Sequence, residues 1–258
     1  YNDYQTEFSS VAPGRYLPMT SLPFWDLDET LKEIDRCAAI GHKGIVFSQD
    51  PSAFGLPQLT DRHWDPMWAS AQEKCLPVNF HIASGDMSLF HNSGHPDNGP
   101  HANYASMGVS FFMGNARTMA QLICGGICHR FPDLNFVSVE SGVGWIPFAL
   151  DSLDWQWLNC GVPKEHPEYN LLPSEYFNRQ IYGCFWFERE TALFSIDRLG
   201  ADNILYETDF PHPTSMSPGP ASSALAPPDY LDKTFSGLPE DMLHKILHDN
   251  AARIYHLD

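Results

Sequence analysis

At 258 residues, the chain is long enough for one α/β barrel or for two smaller domains. A hydrophobic fraction of 43% excludes a disordered chain, and the absence of any apolar run of about 18 residues predicts that no segment spans a membrane. The net charge of −17 argues against nucleic acid and anionic membrane surfaces as partners, because binding to phosphate groups needs clustered Lys and Arg.

The six cysteines follow no regular spacing and include no CxxC pair. This usage is typical of reduced thiols rather than of a disulfide framework. We therefore expect a cytoplasmic protein.

Short apolar runs alternate with segments of helical period along the whole chain. This alternation predicts six βα units. The predicted strands are residues 15–23, 44–50, 76–84, 131–142, 181–188 and 203–209. The predicted helices begin near Asp26 and Thr60, cover about 102–130, 146–160 and 190–199, and end the chain at about 241–255.

Strands that are apolar along their whole length are typical of a parallel sheet covered by helices. The pattern favours an α/β barrel or a doubly wound sheet. No GxGxxG or GxxxxGK[ST] motif is present, which argues against dinucleotide or nucleoside triphosphate binding. No linker divides the chain, so we expect one domain over residues 1–258.

Polar side chains follow four of the predicted strands at the point where each strand ends. They are His81, Glu140, Glu188 and Asp209. In a parallel barrel these ends face one mouth, where active sites lie, so the four side chains are predicted to converge. Helix capping or a salt bridge is the alternative for Glu188 and for Glu207, and an Arg partner is the alternative for Glu140.

Imidazole nitrogen and carboxylate oxygen are ligands for zinc, manganese or iron. His81, Glu140 and Asp209 are therefore the candidate metal ligands. Asp209 is also a candidate base, and His212 is placed to move a proton or to stabilise developing negative charge.

Aromatic residues near the strand ends suggest an apolar or aromatic substrate. Trp145, Trp186 and Phe210 are the candidate substrate contacts, although aromatic residues serve a core equally well. The polar loop of residues 86–101, which carries His91, His95 and His101, is also placed to contribute binding residues.

Four segments together resemble the amidohydrolase-related proteins of the aminocarboxymuconate-semialdehyde decarboxylase type: HIASG, FVSVESGVGWIPFAL, GADNILYETDFPHPTS and ILHDNAARIYHLD. The resemblance covers nearly the whole chain and implies a metal-dependent (β/α)8 TIM-type barrel. It implies that His81 binds metal at the end of strand five and that Asp209 does so at the end of strand eight. Glu140 stands where many of these relatives have a catalytic histidine.

These relatives normally begin with a strand that carries an Asp/Glu-x-His or His-x-His pair of metal ligands. No such pair occurs near Tyr1, so the six units align with strands three to eight. We expect that the first two strands are omitted or cleaved from this chain. A partner chain that supplies them, or a non-catalytic relative, are the alternatives.

The resemblance implies a metal-dependent hydrolase in which metal-activated water attacks a small amide, ester or lactone. The first alternative is a non-oxidative decarboxylase of a small, in particular aromatic, carboxylic acid. The second is a catalytically silent subunit of an active homologue. Zinc is the expected metal, with manganese or iron as alternatives, and a homo-oligomer or a pair with a homologous subunit is the expected assembly.

Overall fold

In a computed structural model, which describes residues 1–88, 95–220 and 222–257, six strands form one parallel sheet. The strands are β1 (Met19–Ser21), β2 (Gly44–Phe47), β3 (Val78–His81), β4 (Phe136–Val139), β5 (Ile181–Phe185) and β6 (Ile204–Tyr206). Their order in the sheet follows their order in the chain. A doubly wound sheet reverses its strand order at a switch point, so the sequential order is that of a barrel.

The strands are aligned so that their carboxyl ends share one edge of the sheet. Val78 is paired with both Ile45 and Phe136, and Phe136 is paired with Ile181. One row of residues therefore crosses four strands, and the residues that follow each strand lie at one mouth. Strands β1 and β6 are not paired with each other in the described ranges. The absence of two preceding strands stays a prediction.

Helices connect and cover the strands. They are α1 (Asn2–Ser9), α2 (Leu27–Ala39), α3 (Asp65–Glu73), α4 (Pro100–Cys124), α5 (Ile127–Arg130), α6 (Ile146–Asn159), α7 (Val162–Glu165), α8 (Pro173–Gln180), α9 (Glu190–Leu199), α10 (Pro227–Phe235), α11 (Glu240–His244) and α12 (Asn250–Ile254). Short 3-10 turns occur at Pro51–Phe54, Arg62–Trp64 and Pro96–Asn98, and a π-helical turn at Lys245–Asp249 joins α11 to α12. No helix in the described ranges combines the length and the hydropathy needed to cross a bilayer.

Local chemistry explains several helix boundaries. The Asp26 carboxylate accepts a hydrogen bond from the Glu29 backbone N–H at 3.1 Å, which caps α2 as predicted. The long helix predicted over 102–130 is instead divided between α4 and α5, because Gly126 turns the backbone with φ 68°. The sequence reasoning did not identify α1, α7, α8 and α10.

Apolar side chains pack on both faces of the sheet. The larger cluster lies between the sheet and the surrounding helices and includes Trp64, Trp68 and Phe136. A smaller cluster on the inner face contains Val137, Tyr182, Cys184 and Leu205, and Ile254 from α12 joins it. The Tyr255 hydroxyl donates a hydrogen bond to the Asn79 side-chain carbonyl at 2.6 Å, which ties the end of the chain to β3.

Candidate metal centre and substrate cavity

Four polar residues at the carboxyl edge of the sheet line one cavity. His81 is the last residue of β3, Glu140 directly follows β4, and Asp209 and His212 follow β6. The cavity has a volume of about 590 Å³. The structure therefore brings together His81, Glu140 and Asp209, the predicted metal ligands, with His212.

His81 is held by hydrogen bonds on both ring nitrogens. Its Nδ1–H donates to the Ile82 carbonyl at 2.6 Å, and its Nε2 contacts the Glu140 carboxylate. Burial acts to lower the pKa of His81, but the bonds to Glu140 and Ile82 outweigh it and leave the pKa raised. The Nδ1–H bond to a carbonyl directs Nε2 towards the cavity, as is common in metal-binding histidines.

Asp209 presents an unused acceptor to the same cavity. Its Oδ2 is buried and accepts no hydrogen bond from the described residues. Nδ1 of His212 lies 3.3 Å from this oxygen but makes its hydrogen bond to Thr214 Oγ1 at 2.9 Å. Burial, aided by the Glu140 charge, raises the pKa of Asp209 to about 6. A buried carboxylate oxygen without a donor is costly unless a cation satisfies it.

Glu207 lies behind this group, on the inner face of the sheet. Its Oε1 accepts a hydrogen bond from the Glu140 backbone N–H at 3.0 Å. Burial raises the pKa of Glu207 to about 8, although that hydrogen bond opposes the rise. Glu207 thus takes neither role that the sequence suggested, since it caps no helix and forms no ion pair with the described residues.

The residues fit a divalent cation. Ligand atoms of Glu140, Asp209 and His212 lie within 4.8 Å of one another, and His81 Nε2 contacts Glu140. None of the described residues that line the cavity is Lys or Arg. Nitrogen and oxygen donors with an excess of carboxylate, around a buried acceptor that lacks a partner, suit zinc, manganese or iron.

Glu188 does not join the cavity. Its carboxylate accepts hydrogen bonds from the backbone N–H groups of Val143, at 3.0 Å, and Gly144, at 2.6 Å. These groups lie just before α6, so Glu188 fixes the segment that follows Glu140. The prediction that Glu188 converges with the other strand-end residues is wrong. The alternative that Glu188 caps a helix is closer, but the N–H groups that it binds lie before α6, and not at the start of α9, the helix that follows Glu188.

The three predicted substrate contacts lie in different places. Trp186 is buried and lines the cavity. Trp145 packs on the core away from the cavity, and its indole N–H donates to the Ser141 carbonyl at 3.0 Å. Phe210 is 72% exposed and does not line the cavity. Trp145 and Phe210 therefore do not line the cavity as predicted, and other side chains form its walls.

Helix α4 supplies the wall that the sequence reasoning missed. Tyr104, Met107, Phe111 and Phe112 from α4 line the cavity, together with Phe187 from the segment after β5. The three- and four-residue spacing from Tyr104 to Phe111 was the available signal, because it places those side chains on one helix face. Of the 86–101 loop, His91 lies outside the described residues, and His95 and His101 are exposed and do not line the cavity.

A sequential parallel sheet with a candidate metal centre at its carboxyl edge is the arrangement of a β/α-barrel protein whose site lies at the mouth of the barrel. The sequence model of the amidohydrolase family matches residues 1–257, and the chain belongs to this family. The resemblance inferred from the sequence is thereby confirmed.

Curated relatives include decarboxylases. The chain is 26% identical over 224 residues to a gamma-resorcylate decarboxylase from Rhizobium sp. strain MTP-10005, covering 81% of this chain and 64% of the relative. It is 21% identical to the 2-amino-3-carboxymuconate-6-semialdehyde decarboxylase of Dictyostelium discoideum, covering 100% of this chain and 66% of the relative. The chain thus spans about two thirds of the length of these relatives.

The fold is shared with solved barrels. A dihydroxybenzoic acid decarboxylase from Polaromonas sp. JS666, solved with bound manganese, aligns with a TM-score of 0.74 at 20% identity. The alignment covers 99% of this chain and 74% of that one. The predicted barrel-type fold is confirmed by this likeness.

Proposed function

We propose that the protein is a metal-dependent, non-oxidative decarboxylase of an aromatic carboxylic acid. The observation that carries this proposal is the division of the cavity into two parts. His81, Glu140, Asp209 and His212 gather at one end, and aromatic and aliphatic side chains from α4 and from the residues after β5 form the other walls. The decarboxylases among the relatives support this reading over hydrolysis, which the sequence had favoured.

Loss of carbon dioxide suits such a cavity. Its polar end can anchor the substrate carboxylate, and its apolar walls can hold the ring and exclude water from it. Carbon dioxide leaves as a neutral molecule, so those walls need not accommodate a charged product group.

His81, Asp209 and either Glu140 or His212 would hold the metal. The ion supplies a positive charge that fixes the substrate carboxylate and compensates the excess of negative charge at this end of the cavity. Manganese is supported by its presence in the Polaromonas structure, while zinc was the expectation from the sequence.

The ring carbon that loses carbon dioxide must receive a proton. We assign this role to His212, which lines the polar end of the cavity and whose ring is oriented by hydrogen bonds from Nε2 to the Tyr104 hydroxyl, at 3.3 Å, and from Nδ1 to Thr214. Glu140 is the second candidate donor, since it lines the same end and takes the place of the histidine found in the family pattern.

Hydrolysis of an amide, ester or lactone is the second candidate function. Its support is the bare Oδ2 of Asp209, which could accept a proton from water. Hydrolysis would use the same metal ligands as decarboxylation, so the two candidate functions differ in their products.

The deciding experiment is product analysis with the manganese-loaded and zinc-loaded protein. Aromatic acids that carry a hydroxyl beside the carboxylate are incubated in deuterium oxide, alongside a panel of amides, esters and lactones. We expect release of carbon dioxide and one deuteron at the vacated ring carbon. Hydrolysis products without carbon dioxide would replace the proposal with the second candidate.

A variant pair tests the proton donor. His212→Asn should lower kcat by about 10²- to 10⁴-fold, the usual contribution of a general acid. His95→Asn is the matched control, since His95 is exposed and outside the cavity. Equal activity of the two variants would reassign the donor to Glu140.

The assembly of the chain is also a proposal. A homo-oligomer or a complex with a homologous subunit would cover the outer edges of β1 and β6, which pair with no further strand among the described residues and are prone to strand pairing. If the isolated chain binds metal but is inactive, mixing it with a homologue tests the silent-subunit alternative.

A further inference from the structure

The walls of the cavity are almost entirely apolar away from the proposed metal. Phe112 stacks on Phe187 with a centroid separation of 5.6 Å and an interplanar angle of 27°, and it meets the Trp186 ring edge-on at 5.7 Å. Met107 and Phe111 extend this wall along α4. Such a surface gives a flat ring system a large contact area.

Polar side chains are confined to one end. Tyr104 and Thr214, the lining residues with hydroxyl groups, are both hydrogen-bonded to His212. The described lining residues include no Lys or Arg that could meet an anionic group beyond the metal end. Burial of an unpaired carboxylate there would be strongly unfavourable, and burial of an unpaired hydroxyl less so.

The volume of the cavity limits the size of its occupant. A volume of about 590 Å³ lies within the range of sites that bury drug-sized ligands, and it exceeds what a single substituted benzene ring requires. A ligand that fills it would reach from the polar end to the stacked pair Phe112 and Phe187.

We infer that the substrate is a monocarboxylic acid with an extended apolar body, such as a fused or alkyl-substituted aromatic ring, and with no second anionic group. Its one carboxylate would lie with His81, Glu140 and Asp209, and its body along α4 and the residues after β5. The inference rests on the proposed function, whose metal end anchors the carboxylate.

Equilibrium binding tests this inference without turnover. Benzoate, 2-naphthoate and naphthalene-2,6-dicarboxylate are titrated into the manganese-supplemented protein by isothermal titration calorimetry. We expect 2-naphthoate to bind about tenfold more tightly than benzoate, as the second ring buries roughly 50 Å² more apolar surface. The dicarboxylate should bind at least about tenfold more weakly than 2-naphthoate, since its second charge has no partner.

A charge introduced into the wall should reverse this preference. Phe187 is 46% exposed, so Phe187→Arg can be accommodated while its guanidinium faces the cavity. This variant should prefer the dicarboxylate over 2-naphthoate. Phe148→Arg is the matched control, because Phe148 is 74% exposed and outside the cavity, and it should keep the wild-type ratio.

Near-equal binding of the three acids to the wild type, or no change of the ratio in Phe187→Arg, would overturn the inference. If the variant fails to fold, the wild-type ratios alone decide. Tight binding of 2-naphthoate without carbon dioxide release from any hydroxylated acid would keep the apolar site and overturn the decarboxylase proposal. Carbon dioxide release from small dihydroxybenzoates without a preference for 2-naphthoate would keep the decarboxylase proposal and overturn the inference of an extended apolar substrate.

Discussion

Glu140 and Asp209 share an unusual backbone conformation. Their φ angles are 59° and 56°, in the left-handed region that residues with a Cβ rarely adopt. Such a conformation costs on the order of 1–3 kcal/mol, and it occurs preferentially at functional sites. The two strand ends most central to the candidate metal centre therefore carry backbone strain that the fold must offset elsewhere.

Removal of the ligand side chains should abolish metal binding. We expect His81→Ala combined with Asp209→Asn to reduce the metal content of the purified protein from stoichiometric to background, because two donors are lost and only weak carboxylate and imidazole contacts remain. Elemental mass spectrometry measures this content. Trp145→Phe is the control, because Trp145 lies outside the cavity. Metal retained by the double variant would show that the metal site lies elsewhere in the protein.

The buried Glu207 should make stability depend on pH. Its pKa is about 8 in the folded chain against an ordinary value of 4.5, so the folded state binds more protons between these values. Stability therefore falls as pH rises through this window. Glu207→Gln removes the titrating group, so its free energy of unfolding should exceed that of the wild type by an amount that grows from about pH 5 to about pH 8.

Urea unfolding in the presence of a chelator measures this difference, because a bound cation would compensate the Glu207 charge. Asp209, whose pKa is also raised, contributes with the same sign in both proteins and cancels in the comparison. A difference that is constant with pH would show that Glu207 is ionised throughout.

At the scale of elements, Glu188 links the end of β5 to the segment that carries Glu140 into α6. Its carboxylate binds two backbone N–H groups, and a Cβ on Gly144 would lie 2.9 Å from its Oε1 and 2.6 Å from the Thr191 Cβ. The fit leaves no room for a larger residue at position 144. The segment is therefore fixed by one side chain from the neighbouring strand.

Glu188→Ala should destabilise the protein by about 1–3 kcal/mol, since it leaves the Val143 and Gly144 N–H groups without an acceptor. It should also lower metal affinity, because Glu140 directly precedes the freed segment. Unfolding by urea and metal titration measure the two effects. Glu190→Ala, at an exposed position at the start of α9, is the control and should change neither.

The elements were predictable where a period or a cap was strong. The six strands and α9 follow from apolar runs and helical spacing, and Asp26 marks the start of α2. The short helices α7 and α8 and the Gly126 break lack such a period, because tertiary packing decides them. Residues 173–180, for example, bury Tyr176 and Phe177 yet carry Pro173 and Asn178.

The candidate site was predictable in part for a related reason. His81, Glu140 and Asp209 lie at or shortly after strand ends, so their common location follows from the parallel sheet. The apolar wall depends on how α4 packs across the mouth, and Glu188 and Glu207 depend on which backbone N–H groups lie nearby. Those relationships are three-dimensional: the spacing of Tyr104, Met107 and Phe111 marks one face of a helix, but not what that face packs against.

At the scale of the whole molecule, the inner face of the sheet is unevenly covered. Cluster residues from β4, β5 and β6 pack against α12, whereas Val46 of β2, on the same face, is 37% exposed. The C-terminal helix is therefore the main cover of this face within the described residues. Its attachment to β3 passes through the bond between Tyr255 and Asn79.

Tyr255→Phe tests this attachment. Loss of the hydroxyl leaves the Asn79 side-chain carbonyl without its donor and should lower the free energy of unfolding by about 1–2 kcal/mol. Tyr4→Phe, at an exposed tyrosine in α1, is the control and should have little effect. Chemical denaturation of both variants provides the comparison, and an unchanged Tyr255→Phe midpoint would remove the proposed role of this bond.

The same attachment bears on the order in which the chain acquires its structure. The bond from Tyr255 to Asn79 spans 176 positions, and that from the Lys43 ammonium to the His256 carbonyl spans 213. Contacts of such separation form late, because the loops that they close are costly in entropy. During synthesis on the ribosome, β2 and β3 emerge long before α12 exists to cover them. The inner apolar face of β2 and β3 thus stays uncovered during synthesis until α12 has formed.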